Sequence, residues 1–522
     1  MLNVTRRDVL KTSAAGATAS LVPLPGGVPD AAASEPKRGG TIVVSISQAP
    51  PSIDAHLTSA AAARDITLHL YETLYARDEN GAPVPDLAEG VEVSKDGLSY
   101  VFKLRPGVKF HSGKTMGAQD VAASIERYRK LGASASLLAA IDTVAATGPL
   151  EATIKLKTVQ STFLDNLSSP RAPIAIYPSE EAAKPADQFK PIGTGPFKFV
   201  EYAPDSHIKL ERFADYVANA NYTKRDGFAG RKDVFIDAAV FRFMPEAGAR
   251  LAALQTGEVH LVETIDGPTA KQLQPKPEFK VHKVLPFFLH VGKFNHAQAP
   301  CDDVSFRRAV AACLNMEEIM AIAFPDIYGL DGGWVFSNSP YYSKAGLDLY
   351  NIADPEKAKA HLKKSSYKGE TLTFIIDNTR PDMDTATNIK EQLGEIGIKV
   401  DVKVADWPTV SKIGVTPNNW HFWAHGFGIE PYEGPATVMS VWVNGASQQK
   451  DDPVIDKLFA AYTGEMDIEK RKSIFAEFQK HMYENAVAMQ LGNDGLFQVA
   501  SAKIQNFAPY RIPRLWGVWL DG

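Results

Sequence analysis

The chain has 522 residues, of which 45% are hydrophobic and 22% charged, and a formal charge of -5 from 56 Lys+Arg against 61 Asp+Glu. That balance excludes a disordered or fibrous chain and leaves no electrostatic footprint for nucleic acid or an anionic membrane. Two cysteines cannot build a disulfide framework or a four-cysteine zinc site. The length allows roughly two to four domains.

Residues 1–33 read as an address. Thr5-Arg6-Arg7-Asp8-Val9-Leu10-Lys11 resembles the twin-arginine export motif. The stretch Thr12 to Leu24 is too short and too rich in small residues to span a bilayer. Ala31-Ala32-Ala33 supplies the small residues a signal peptidase needs. Cleavage after Ala33 is therefore expected, by a route that exports folded protein. It would leave a mature chain one charge unit more acidic and free in the periplasm. No later segment runs roughly 18 apolar residues without interruption.

In the mature chain, Thr41 to Ile46 reads as a buried first strand. Asp96-Gly97 is a hairpin turn feeding a strand in which Leu98, Tyr100, Phe102 and Leu104 alternate with polar residues. Val121, Ile125 and Tyr128 fall at helical spacing. Leu251 and Leu254 belong to a short helix ended by Gly257. Phe306, Val310, Cys313 and Leu314 form a stripe on a helix capped by Asp302 or Asp303. Leu372 to Ile376 is a strand. Ala386, Ile389, Leu393 and Ile396 then line a helix stopped at Gly397, and Ile398, Val400, Val402 and Val404 alternate as the next strand. Strand, helix, strand with short links implies a parallel pair and a right-handed crossover. Ile474, Phe478 and Met482 mark a late helix. The pattern predicts an α/β fold without internal repeats.

An ordered set of short stretches resembles the peptide/nickel-type (family 5) solute-binding proteins of ABC importers, which include dipeptide- and oligopeptide-binding members. The pieces are Gly39-Gly40-Thr41, Pro50-Pro51-Ser52-Ile53-Asp54-Ala55-His56, Tyr71-Glu72-Thr73-Leu74 and Val84-Pro85-Asp86-Leu87-Ala88. They continue with Leu104-Arg105-Pro106-Gly107-Val108-Lys109-Phe110-His111-Ser112-Gly113, Gly193-Thr194-Gly195-Pro196-Phe197, Phe306-Arg307-Arg308-Ala309-Val310 and Gly394-Glu395-Ile396-Gly397-Ile398. The resemblance runs over residues 39–520. It implies a two-lobe periplasmic-binding-protein fold of class II with an extra subdomain in the first lobe. The expected division is 34–86, lobe 1; 87–190, inserted subdomain; 191–284, lobe 1; 285–495, lobe 2; and 496–522, the return to lobe 1. The two crossings are expected near Val284 to Phe294 and Leu491 to Ala500, with the solute enclosed by hinge closure.

A peptide-like solute carries an ammonium and a carboxylate, so a closed cleft needs an acidic and a basic anchor. In dipeptide-type members an acid followed by Pro receives the amino group. Gly426-Phe427-Gly428-Ile429-Glu430-Pro431 resembles that loop, which puts Glu430 in the role, with Glu433 as a nearby second acid. Arg380, read as lying in the loop before the Ala386 to Ile396 helix, roughly matches the position that pairs with a peptide carboxylate. Thr58 and Ser59 match a region that touches solute from the first lobe. Trp423 and Phe427, together with Trp407 and Trp420, could wall the same place or pack a core. His421 and His425 face one side of a strand but lack a third ligand, so no metal and no cofactor is expected. His56 and His111 read as structural. Cys301 and Cys313 read as free thiols, too far apart to bridge.

No Gly-x-Ser-x-Gly elbow, phosphate loop or His-Glu-x-x-His occurs in the chain. The leading expectation is a non-catalytic, monomeric receptor that hands a peptide-like solute to ABC permease subunits in the inner membrane. The alternatives are a non-peptide solute (an opine-like conjugate, an oligosaccharide or a chelated metal), a sensor or chaperone-like relative, and a periplasmic hydrolase.

Overall fold

The structure is a computed structural model that describes residues 35–430 and 433–521. The expected leader and its cleavage site lie outside the described residues. Residues Lys37–Gly522 form one compact unit. Among the described residues no helix is long and apolar enough to cross a membrane.

Two large sheets organise that unit. The first has seven strands in the order Phe279–Val284, Leu496–Ser501, Leu261–Ile265, Thr41–Ile46, Ala238–Phe243, His207–Arg212 and Phe197–Ala203. Its central strand Thr41–Ile46 pairs in parallel with both neighbours. Ile42, Val44 and Ile46 are fully buried there, as expected of a strand covered on its faces. The second sheet has six strands in the order Tyr328–Gly329, Ala488–Asp494, Leu289–Phe294, Phe422–Gly426, Thr371–Asp377 and Lys399–Ala405. Its parallel pair Thr371–Asp377 and Lys399–Ala405 is connected by the helix Arg380–Glu395, the crossover read from the periodicity. A four-stranded antiparallel sheet over 88–156 packs on the helix Ala118–Leu131 and has its own core around Phe102, Phe110 and Tyr128.

The chain leaves the first sheet after Val284, enters the second at Leu289, and returns between Asp494 and Leu496. The two crossings run side by side: Phe287 N donates to the Asp494 carbonyl at 2.8 Å, and Asp494 N donates to the Phe288 carbonyl at 3.0 Å. Two lobes joined by a pair of short adjacent crossings form a hinge.

The motif residues explain themselves as structure. Asp54 takes the Arg127 guanidinium and the Tyr177 hydroxyl in the core. Glu72 and Asp86 share the buried Lys232 ammonium. His111 holds the glycine motif, its Nε2 3.0 Å from the Gly195 carbonyl and its Nδ1 accepting from Gly193 N at 3.1 Å. A Cβ at Gly193 would stand 2.1 Å from the Leu70 carbonyl oxygen, so only glycine fits that approach. His56 is likewise structural, with Nε2 2.9 Å from the Ala175 carbonyl. The Phe306 helix is capped by Asp303, which accepts from Ser305 N at 2.7 Å. Both cysteines are buried free thiols, Cys301 donating to the His421 carbonyl and Cys313 to that of Gln392.

Candidate functional site

Glu430 leaves the second sheet on the segment that follows Phe422–Gly426, and its side chain is 2% exposed. Arg64 reaches it from the helix Ala61–Leu70 of the first lobe. Nη1 donates to Oε2 and Nη2 to Oε1, each at 2.9 Å. Arg511, on the C-terminal segment that follows the last strand of the first sheet, adds a third bond to Oε1 at 2.6 Å. Burial alone would raise the Glu430 carboxyl, but Arg511 and Arg64 outweigh it and hold the group at about 2. The Arg511 guanidinium also lies over the Phe287 and Phe288 rings, 3.3 and 4.6 Å from their centroids, on the outgoing crossing. One carboxylate thus joins a helix of one lobe, the loop of the other and the hinge.

That geometry changes the reading of Glu430. An acid already satisfied by two guanidinium groups offers little to a solute ammonium, which would have to displace them. Glu433 is placed differently. Its Oε2 accepts from Glu430 N at 2.9 Å, while its Oε1 lies 3.5 Å from Arg171 Nη1. Burial, and then the Glu430 charge, raise its carboxyl above the usual value. Glu433 and Arg171 line a cavity of about 250 Å³ between the lobes, with Ser59, Arg77, Asp165 and Tyr462. Arg77 is committed to Asp165 at 2.7 Å. Arg171 is 42% exposed along its side chain and donates to the Gly428 carbonyl at 2.8 Å. The outer rim is drawn together where Ser161 N donates to the Thr463 carbonyl and Ser161 Oγ to that of Tyr462, each at 2.9 Å.

The remaining expected residues separate. Ser59 reaches the cavity, whereas Thr58 Oγ1 is used locally, accepting from Ala60 N at 3.0 Å. Arg380 does not lie in a loop: it is the first residue of the helix Arg380–Glu395. Its side chain is 89% exposed and faces Asp384 one turn on, at 3.6 Å. At a helix N-terminus followed by Pro381 the side chain is turned to solvent, and it joins neither Glu430 nor the cavity. Trp423 is 4% exposed and packs under the helix Trp407–Gly414. Phe427 is half-buried, tilted on Trp442 at 5.3 Å. His421 Nδ1 accepts from Thr373 N, and His425 Nδ1 lies 2.8 Å from the Gly426 carbonyl, so both rings serve the backbone.

Arg64, Arg171 and Arg511 escaped sequence reasoning. A signal existed for Arg64, which with Asp65 interrupts the alanine-rich start of a helix whose other face is apolar. Arg171 and Arg511 sit among prolines and irregular chain, where no periodicity marks a buried side.

A 28% identity over 372 residues links the chain to the glutathione-binding protein GsiB of Pectobacterium atrosepticum, covering 70% of this chain and 69% of that protein. A probable di/tripeptide-binding protein of Pseudomonas aeruginosa is 27% identical over 521 residues, covering 91% of this chain and 94% of that one. The fold is that of the ABC transporter substrate-binding protein CtaP of Listeria monocytogenes, at a TM-score of 0.82 and 21% identity. That alignment covers 93% of this chain and all of the other. The family profile of bacterial extracellular solute-binding proteins, family 5, matches residues 82–450, and with two lobes hinged around a polar cavity the chain belongs to that family.

Proposed function

We propose that this protein is the periplasmic solute-binding subunit of an ABC importer, and that it captures a peptide or peptide-like solute by lobe closure. The observation that carries this reading is the interlobe cavity of about 250 Å³, whose wall carries Arg171 and Glu433 side by side, 3.5 Å apart. A zwitterionic solute has the matching charges, its ammonium meeting Glu433 and its carboxylate Arg171. The curated relatives support the solute class, several being described as peptide-binding. A solved structure of the oligopeptide-binding protein AppA of Bacillus subtilis, in complex with a nonapeptide, has the same fold at a TM-score of 0.72.

On this reading Glu430 is the closing clasp and Glu433 the acidic anchor. Ser59 contributes a hydroxyl from the first lobe, and Arg380 takes no part. The protein acts without catalysis, as a monomer, and passes the solute unchanged to inner-membrane permease subunits. Export follows the Arg6-Arg7 signal, with cleavage after Ala33. The lobes divide as the sequence suggests, with 87–190 inserted in lobe 1 and 285–495 forming lobe 2. Mass spectrometry of material released by unfolding the purified protein tests the proposal. A peptide-like mass, chemically unaltered, is expected. A hydrolysed product series would instead assign an enzyme.

A further inference from the structure

Lys293 lies on the strand Leu289–Phe294 of the second lobe, only 6% exposed. Among the described residues no carboxylate pairs with it. Its ammonium stands 4.0 Å from the centroid of the Trp423 ring and 5.8 Å from that of Phe427. An ammonium out of water with only aromatic faces for company is costly, because cation–π attraction recovers only part of the lost hydration, and burial accordingly pushes the Lys293 amine down to about 7.

The surroundings are short of partners too. Register sets Lys293 opposite Trp423 and Val291 opposite both His425 and Gln490, so these side chains share one face of the sheet. Gln490 is 1% exposed and neither atom of its amide finds a hydrogen bond among the described residues. His425 Nε2, Trp423 Nε1 and Trp442 Nε1 are buried and equally without a partner among the described residues. With His425 Nδ1 donating to the Gly426 carbonyl, Nε2 is left as an acceptor. Native interiors keep few such groups without reason. Here Trp423, His425 and Gln490 share a sheet face with Lys293, which has no carboxylate partner among the described residues.

Phe427, whose ring lies 5.8 Å from the Lys293 ammonium, is the residue nearest in the chain to the cleft loop. It is half-buried, one residue before the Gly428 carbonyl that takes Arg171, and its ring leans on Trp442. The helix Pro435–Ser440 has Ala436 on the cavity wall, and its Val438 and Met439 share a core with Trp442 and Phe427.

We propose that Lys293, with the indole of Trp423 and the amide of Gln490, forms an anion-receiving subsite in the second lobe that selects solutes bearing an extra carboxylate. This deepens the peptide-like reading above and rests on it. The ammonium has three protons. It can serve the orphan acceptors and still donate to a carboxylate, while the indole N–H groups supply further donors. An anion brought by the solute converts a costly unpaired charge into a charge-assisted hydrogen bond.

Calorimetry on the solute-stripped full-length protein tests it, with the tripeptides Ala-Glu-Ala, Ala-Gln-Ala and their positional isomers, and with glutarate alone. In the native protein at least one Glu peptide should bind about tenfold more tightly than its Gln counterpart. Lys293→Met should reduce that ratio below about twofold by weakening the Glu peptide and raise the melting temperature of the empty protein, which separates a selecting residue from a structural one. Lys293→Arg should keep a preference for Glu. Absence of any Glu preference in the native protein, or the same preference in Lys293→Met, overturns the subsite. If no tripeptide binds, the peptide reading fails by itself and glutarate decides the subsite. Saturable binding lost in Lys293→Met supports it, and no binding to the native protein overturns it.

Discussion

Arg64 and Glu430 are 366 residues apart in the chain and meet in a two-point ion pair, both hydrogen bonds 2.9 Å long. The pair bridges the lobes, and Arg511 ties it to the hinge through the Phe287 ring. A bidentate guanidinium–carboxylate contact is rigid and directional, so it forms only at one lobe angle. Closure is therefore read at this carboxylate.

Glu430→Gln removes the charge and leaves two guanidinium groups facing each other in a buried place. Breaking a buried pair from one side costs about 3–5 kcal/mol. The expected outcome is a lower melting temperature and a more open solution form, checked by calorimetric scanning and small-angle scattering. Glu433→Gln should instead leave the melting temperature nearly unchanged and weaken solute binding roughly 30-fold or more.

Acid should open the clasp. Glu430 is held at about 2 in the folded protein against an ordinary value of 4.5. A depressed carboxylate contributes its full stabilisation above the ordinary value and loses it as pH falls through the folded one. The window thus runs from about pH 4.5 down to about 2, and the contribution is about 3 kcal/mol. His56 and His69 add to the slope from a higher pH. Burial holds both at about 3, so protonation of the unfolded chain begins to favour unfolding below about 6.5. Denaturant titrations between pH 7 and pH 3 should show falling stability throughout. In Glu430→Gln the part below about pH 4.5 should be flatter.

Arg380→Ala and Arg171→Ala separate the expected basic anchor from the proposed one. The first removes a side chain that is 89% exposed and faces Asp384. It should change solute affinity by less than about threefold. The second strips the cavity of its available guanidinium and should weaken binding by at least about tenfold.

The frame was legible in the sequence because its signals are periodic. The alternation after Leu98 and the stripe from Ala386 to Ile396 sit in the strand and helix they predict, with Gly397 at φ 87° just past the helix end. The cleft was only partly legible. Glu430 and Glu433 were visible as acids in a recognisable loop, but which of them faces the cavity depends on Arg64 and Arg511, brought from the far ends of the chain to hold Glu430. Pairing between distant irregular segments leaves no local pattern. Arg380 misled because a strand-to-helix link suggests a loop, whereas the helix begins at that residue and turns the side chain outward.

Two glycines should respond oppositely to alanine. At Gly414 a Cβ would lie 2.1 Å from Cζ3 of Trp423, the ring that faces Lys293. Gly414→Ala should destabilise by about 1–3 kcal/mol through overpacking and shift the tryptophan emission. Gly394 lies inside a helix, and a Cβ there meets nothing within 4 Å. Gly394→Ala should stabilise by about 0.5–1 kcal/mol. Urea titrations of both variants check the pair.

The central claim is that solute enters between the lobes and closes them. Small-angle scattering on protein stripped of solute by unfolding and refolding, measured before and after adding back the released material, tests it most directly. The account predicts a smaller radius of gyration at saturating solute, with the change weakened in Glu430→Gln. A radius that stays the same in native protein shown by calorimetry to be saturated would contradict it.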